Sequence, residues 1–160
     1  MQNKRIILVG KAASGKDYLR RKFQKRGFKY GISYTTRPPR EGEVDGVDYF
    51  FLSEKKASEM IANEEFYEYV YFNGWLYGTT KKQSHSDNLF IMTPKGISHI
   101  KPEDRQDSFI IYCDIEMSIR NTRLHNRQMP GDTVERRIVA DEIDFSEFND
   151  YDLRITNPDF

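Results

Sequence analysis

The sequence predicts an α/β fold: a parallel sheet flanked by helices and interrupted by one small β-rich excursion. Three observations carry this. Strand-like apolar runs alternate with amphipathic helical patterns through most of the chain, the pattern of a sheet covered on both faces. The first apolar run passes through a glycine-rich loop straight into a helix. The stretch from Tyr34 to Thr80 departs from the alternation and is dense in Pro, Arg, Gly and aromatic residues. At 160 residues the chain is long enough for one domain with a real core. We read a core of residues 1–33 and 81–160, a lid near 123–137 and a subdomain near 34–80.

Ile6-Ile7-Leu8-Val9, within a strand expected at Arg5–Val9, is uniformly apolar and suits a strand buried on both faces. Gly10-Lys11-Ala12-Ala13-Ser14-Gly15-Lys16 follows with the spacing GxxxxGK. Glycines let successive N–H groups curl inward around phosphate oxygens. The next helix adds its positive N-terminal end, and Lys16 adds a full charge. Asp17 stands where this pattern asks for Ser or Thr. That helix, Lys16–Arg26, repeats its apolar side from Tyr18 and Leu19 to Phe23 and stops at Gly27. Further strands are expected at Tyr30–Ser33, Leu89–Met92, Ser108–Cys113 and Asp152–Thr156, and helices at Glu116–His125 and Thr133–Ile143.

Inside the excursion, Thr35-Thr36-Arg37-Pro38-Pro39-Arg40 holds two arginines on a stiff spacer. Polyproline II turns once in about three residues, so Arg37 and Arg40 project from one side as a clamp for phosphate or carboxylate. A short helix capped by Ser53 comes next, then the strand Phe66–Phe72 and a hairpin closed by Asn73-Gly74. Period two places Phe66, Glu68, Val70 and Phe72 on one face and Tyr67, Tyr69 and Tyr71 on the other. Glu68 is thus a carboxylate among apolar neighbours and needs a partner, whether an edge, a lysine or donors on a ligand such as guanine.

Composition narrows the class. Lys+Arg and Asp+Glu both number 25, so no net field draws the chain to nucleic acid or to a membrane, and anions must be held by local clusters. Cys113 is the sole cysteine, which excludes an internal disulfide and suits a reducing compartment. No apolar stretch reaches membrane-spanning length, and the chain runs from Met1 almost directly into the first strand, so a cytoplasmic location is expected. His85, His99 and His125 lack metal-ligand spacing.

The residues resemble the guanylate kinase family. The resemblance is densest in Ser33-Tyr34-Thr35-Thr36-Arg37-Pro38-Pro39-Arg40-Glu41-Gly42-Glu43-Val44-Asp45-Gly46-Val47-Asp48-Tyr49 and continues in Glu65-Phe66-Tyr67-Glu68-Tyr69 and Asn73-Gly74-Trp75-Leu76-Tyr77-Gly78-Thr79. It returns at Arg123-Leu124-His125-Asn126-Arg127, Glu135-Arg136-Arg137 and Ile155-Thr156-Asn157-Pro158-Asp159. It implies a phosphate-loop kinase moving the γ-phosphate of ATP onto GMP with Mg²⁺, acting as a monomer or homodimer. By the same resemblance Ser33, Arg37, Arg40, Tyr49 and Tyr77 hold the GMP phosphate, while Glu68 and Thr79, with Thr93, face the guanine. Lys16 and the loop cradle ATP, Arg123, Arg127 and Arg137 close over the transferring phosphoryl, and Asn157 lies toward the adenine.

The chain departs from that family at three places. The strand-end Asp-Ile-Asp run before Gly96 reads Ile91-Met92-Thr93 here, Asp17 replaces the hydroxyl beside the metal, and the chain ends at Phe160. From the first two we expect Asp17 to be a direct or water-mediated Mg²⁺ ligand. The early end implies that the family's C-terminal helix is missing and that a sheet face or edge is left less covered. Two other readings remain open at this level: the same chemistry on another base, and a guanylate-kinase-like module that binds phosphorylated peptides.

Overall fold

The computed structural model describes residues 4–127 and 133–160. Elements are numbered in chain order. β1 (Arg5–Gly10) pairs in parallel with β6 (Leu89–Ile91) on one side and with β7 (Ser108–Cys113) on the other, and β8 (Leu153–Ile155) lies beyond β7. Ile7, Val9, Phe90, Ile110 and Tyr112 pack on one face against Phe145, while Leu8, Leu89 and Ile111 meet Leu19 and Phe23 on the other. Each such side chain, fully buried, contributes about 1.5–3 kcal/mol. The continuous apolar run of β1 is thereby explained.

α1 (Lys16–Lys25) starts from Gly15, whose φ of 92° lies in the left-handed region that glycine adopts freely. α6 (Met117–His125) and α7 (Val134–Phe145) match the later expected helices closely. Thr133 is the cap of α7 rather than its first residue, its side chain accepting from the Arg136 N–H. The helix runs on to Phe145, which stacks on Tyr112 with centroids 5.5 Å apart. Part of the expected lid, residues 128–132, lies outside the described residues.

One expected strand does not form. Across Tyr30–Ser33 only Tyr30 bridges to Leu89, and Gly31 N–H donates to the Leu89 carbonyl. The carbonyl of Ile32 is taken instead by the Gln83 side chain at 2.6 Å, so a side chain and not a ladder holds this segment. Three short helices were not foreseen: α3 (Lys81–Ser86), α4 (Pro94–Ser98) and α5 (Pro102–Gln106). Their cues were present. Thr80 and Gln83 form a capping box, and Thr93-Pro94 places a cap before a proline at the first turn.

The excursion builds a second sheet ordered β3-β2-β5-β4 from β2 (Tyr34–Thr35), β3 (Phe50–Phe51), β4 (Phe66–Phe72) and β5 (Trp75–Thr80). α2 (Glu54–Ala62), capped by Ser53, packs Ala57 and Met60 on it. Asn73 and Gly74 both have positive φ, 53° and 84°, as a tight primed hairpin turn demands. The simple period-two reading of β4 needs correction. A bulge between Phe66 and Glu68 pairs Phe66 with Thr80 but Glu68 with the adjacent Thr79. Phe66 therefore joins Met60 and Leu76 in the subdomain core, while Glu68, Val70 and Phe72 face the cleft between the sheets. Among the described residues no helix is long and apolar enough to cross a membrane.

Candidate active site

The loop between β1 and α1 can be built only from its own small residues. A Cβ on Gly10 would lie 2.5 Å from Ser14 Oγ and 2.7 Å from the Cys113 carbonyl. Ala13, with φ at 61°, carries a left-handed turn that costs a side-chain-bearing residue about 1–2 kcal/mol. Lys16 is half-buried and donates from Nζ to the Gly10 carbonyl. Burial lowers its pKa, and nearby Asp141 acts in the opposite sense. Cys113 is buried too, and burial pushes its thiol up to about 11, so it is inert.

Above the loop, a cavity of about 430 Å³ is bordered by Lys16, Arg40, Arg123, Arg127 and Arg137. Five cations converge there although the chain as a whole is neutral. Arg123 Nη1 donates to the Ala13 carbonyl at 2.9 Å, tying α6 to the loop. Arg137 is the most telling. Among the described residues its buried Nε and Nη1 have no hydrogen-bond partner of good geometry, nor has Tyr77 Oη, although Tyr77 lies close enough to favour the Arg137 charge. Burial penalises the Arg137 charge, but Tyr77 and Asp141 offset this and its pKa rises. Two buried N–H groups of a charged guanidinium are thus free of a geometric partner among the described residues, the arrangement an anion could satisfy.

Asp17 also borders this cavity, with its side chain 71% exposed and Oδ1 3.4 Å from Arg20 Nε. It does not cap α1, since no side-chain cap bond is made there. Asn157 does not line the cavity. Its Oδ1 accepts from the Asp159 N–H, and Pro158 and Phe160 take the rim, with the Phe160 ring against Gly15.

A narrower slot of about 80 Å³ continues from Lys16 toward the second sheet, lined by Ser33, Tyr49, Glu68, Tyr77 and Thr93 among others. Glu68 is held above the usual carboxylate range, at about 7, because it is buried; contacts from Thr79 only partly offset this. Thr79 is itself buried and acts through Glu68 rather than on the slot wall. Glu68 Oε2 lies 3.0 Å from where a Cβ on Gly96 would stand, so the carboxylate rests on a bare glycine of α4. Thr93 Oγ1 accepts from the Gly96 N–H at 3.0 Å and orients that helix turn.

The two clamp arginines share one carboxylate. Arg37, only 3% exposed, makes a fork to Glu43 through Nη1 and Nη2 at 2.8 and 2.9 Å and lies 5.1 Å from the Tyr49 ring centroid. The Arg40 N–H donates to the same Glu43 at 2.7 Å, leaving the Arg40 side chain on the cavity wall. Burial lowers the Arg40 pKa and Arg37 adds to it, so the two charges stand close. Glu43 is the residue the sequence reading missed. Its position three after Arg40 was the available signal.

α7 supplies two more. Asp141 and Asp144 stand four and seven residues after Arg137, on one helix face, and all three line the slot. Asp141 is buried and accepts the Ala12 N–H of the loop at 2.9 Å, and Lys11 Nζ meets Glu142 at 2.7 Å. The loop is thus held from α7 as well as from α6.

A strand–loop–helix turn, a converging arginine set and a second, carboxylate-bearing slot adjoin one another at Lys16 and Arg137. The family model for guanylate kinase matches residues 2–160. The chain belongs to the guanylate kinase family. It is similar to the guanylate kinase of Bacillus anthracis, 34% identical over 91% of this chain and 77% of that one. It is also similar to the guanylate kinases of Rickettsia prowazekii, 30% identical over 97% and 83%, and of Nostoc sp., 31% identical over 100% and 85%. In fold it matches the crystal structure of guanylate kinase from Anaplasma phagocytophilum with a TM-score of 0.74, at 19% identity over 99% of this chain and 79% of that one. In guanylate kinase terms, the first, parallel sheet is the phosphate-loop core and the second, mixed four-stranded sheet faces it across the slot.

Proposed function

We propose that this guanylate kinase transfers the γ-phosphate of ATP to GMP, with ATP on the Gly10–Asp17 loop and the guanine in the Glu68 slot. The observation that carries this assignment is Arg137, whose buried Nε and Nη1 have no hydrogen-bond partner among the described residues where the two cavities meet. Two phosphates approaching there would complete its hydrogen bonds. Phosphoryl transfer asks little covalent chemistry of the protein; catalysis is positioning and charge stabilisation. Lys16 exchanges the Gly10 carbonyl for a phosphate oxygen, and Arg123, Arg127 and Arg137 face the transferring group. Arg37, Arg40, Tyr49, Tyr77 and Ser33 orient the acceptor phosphate, and Glu68 with Thr79 behind it takes the donor edge of guanine. The test is ADP release with GMP, dGMP, AMP, CMP, UMP and dTMP. Activity confined to the guanine nucleotides supports the assignment, and equal use of AMP would remove it. The second reading, a phosphopeptide module, is disfavoured by the intact loop and its five cations. A cytoplasmic enzyme fits the lone buried cysteine.

The donor set also suits Mg²⁺ carried in by the nucleotide. Among the described residues no group of three or more His, Cys, Asp or Glu is gathered for a metal. Mg²⁺ commonly keeps several waters and uses one or two carboxylates beside phosphate oxygens, and Asp17 on the cavity wall offers one. When bound, the ion would neutralise charge between phosphates, and Asp17 would hold it directly or through water. Asp17→Ser should then raise the Mg²⁺ concentration for half-maximal rate and weaken the Mg²⁺ dependence of ADP binding in calorimetry. An unchanged requirement would leave Asp17 as a partner of Arg20 only.

The clamp makes a separable pair of predictions. Arg40→Ala should raise the KM for GMP about 10- to 100-fold, the loss of one charge-assisted contact, with little change in the KM for ATP or in Tm. Arg37→Ala should do the same and also lower Tm, because Glu43 loses its fork partner in a mostly buried site. Steady-state kinetics with a melting curve distinguishes them; identical Tm values would contradict the Glu43 account.

A further inference from the structure

Asp144 is not used by the assignment above. It sits at the far end of the α7 stripe from Arg137, about 10 Å along the helix axis at 1.5 Å per residue, comparable to the span of a nucleoside monophosphate. Its Oδ2 is buried and has no hydrogen-bond partner among the described residues. Burial and then Asp141 push its carboxyl up to about 6, while Lys95, Lys16 and Arg137 act on it only at a distance. A buried acceptor without a donor is unfavourable, and a ligand could supply the donor that the described residues do not.

The slot that Asp144 shares with Glu68 and Thr93 is rich in acceptors. Thr93 Oγ1 is already engaged by the Gly96 N–H. Of the slot's four carboxylates, Asp141 already accepts from the Ala12 N–H and Asp17 lies beside Arg20; Glu68 and Asp144 are left to suit a flat ligand with several donors on a single edge. Guanine has three there: N1–H and the two hydrogens of the 2-amino group. One carboxylate can accept N1–H and one amino hydrogen side by side, which leaves the second amino hydrogen unpaired. We propose that Asp144 is a specificity-determining residue that accepts this second hydrogen of the guanine 2-amino group. The inference rests on the placement of the guanine beside Glu68.

IMP differs from GMP only in lacking the 2-amino group, so the pair isolates the contact. kcat/KM for GMP and for IMP would be measured in the wild type, Asp144→Ala, Asp144→Asn and Glu68→Gln, with inhibition constants where turnover is slow. Asp144→Ala should lower GMP use about tenfold and leave IMP nearly unchanged, so that the preference for GMP shrinks by that factor. Asp144→Asn, which keeps a carbonyl acceptor, should recover part of the preference and serves alone if the alanine variant does not fold. Equal losses on GMP and IMP would make Asp144 merely structural and overturn the proposal. Glu68→Gln should damage both substrates, since both carry N1–H. If Glu68→Gln leaves both intact, the base-site placement itself falls, and Asp144 with it; if it damages both while the Asp144 variants keep the wild-type ratio, only the Asp144 assignment falls.

Discussion

Replacing Lys16 by alanine should reduce kcat about 100- to 1,000-fold, the loss associated with removing one preorganised charge from a transition state. The structure separates this from a folding defect. Among the described residues the Lys16 side chain makes one hydrogen bond, to the Gly10 carbonyl, and burial around it lowers its pKa. Removing it deletes an unfavourable buried charge in the free enzyme, whereas the loop's shape depends on Gly10, Ala13 and Gly15 and on the Asp141 and Arg123 contacts. Tm should therefore stay near the wild-type value while activity collapses. Single-turnover kinetics beside a melting curve checks both halves. A large fall in Tm, or rates within a few-fold of wild type, would contradict the role given to Lys16.

Glu68→Gln should raise the KM for GMP about 10- to 100-fold with little effect on ATP, as expected for hydrogen bonds to a charged acceptor. Its pH behaviour is more diagnostic. Burial holds Glu68 at about 7 in the free enzyme, above the usual carboxylate range. Guanine offers N–H donors, which favour the ionised form, so GMP affinity should weaken as pH falls through about 7. The glutamine variant should lose that dependence. Stability runs the other way: a carboxyl whose folded pKa is raised favours the protonated state, so free-enzyme stability declines as pH rises from about 4.5 toward 7. The increase in Tm on adding GMP should accordingly be larger at pH 8 than at pH 6, and Glu68→Gln without ligand should melt higher than wild type at pH 8. Calorimetric titrations and melts at the two pH values decide it; a GMP affinity flat with pH would mean that Glu68 does not meet the base.

Local signals in the chain were sufficient for much of this. The apolar run before Gly10 specified a central strand because a strand buried on both faces has no polar position to spare, and GxxxxGK with a helix behind it specified an anion cradle by backbone geometry alone. Arg37, Arg40 and Glu68 stood out because charged residues on a stiff spacer or an apolar strand need a partner. What the chain alone left open depended on contacts between distant segments. Tyr30–Ser33 reads as a strand but its Ile32 carbonyl is taken by Gln83, from a helix 51 residues away. The bulge in β4 turns Phe66 away from Glu68, because pairing with Thr79 and Thr80 is set by the partner strand and not by the alternation within β4. Nothing in their local sequence marks Asp141 and Asp144, which α7 places on the loop and the slot. Secondary structure follows from short-range spacing, but which side of a helix or strand faces a ligand is decided by packing against elements far away in the chain.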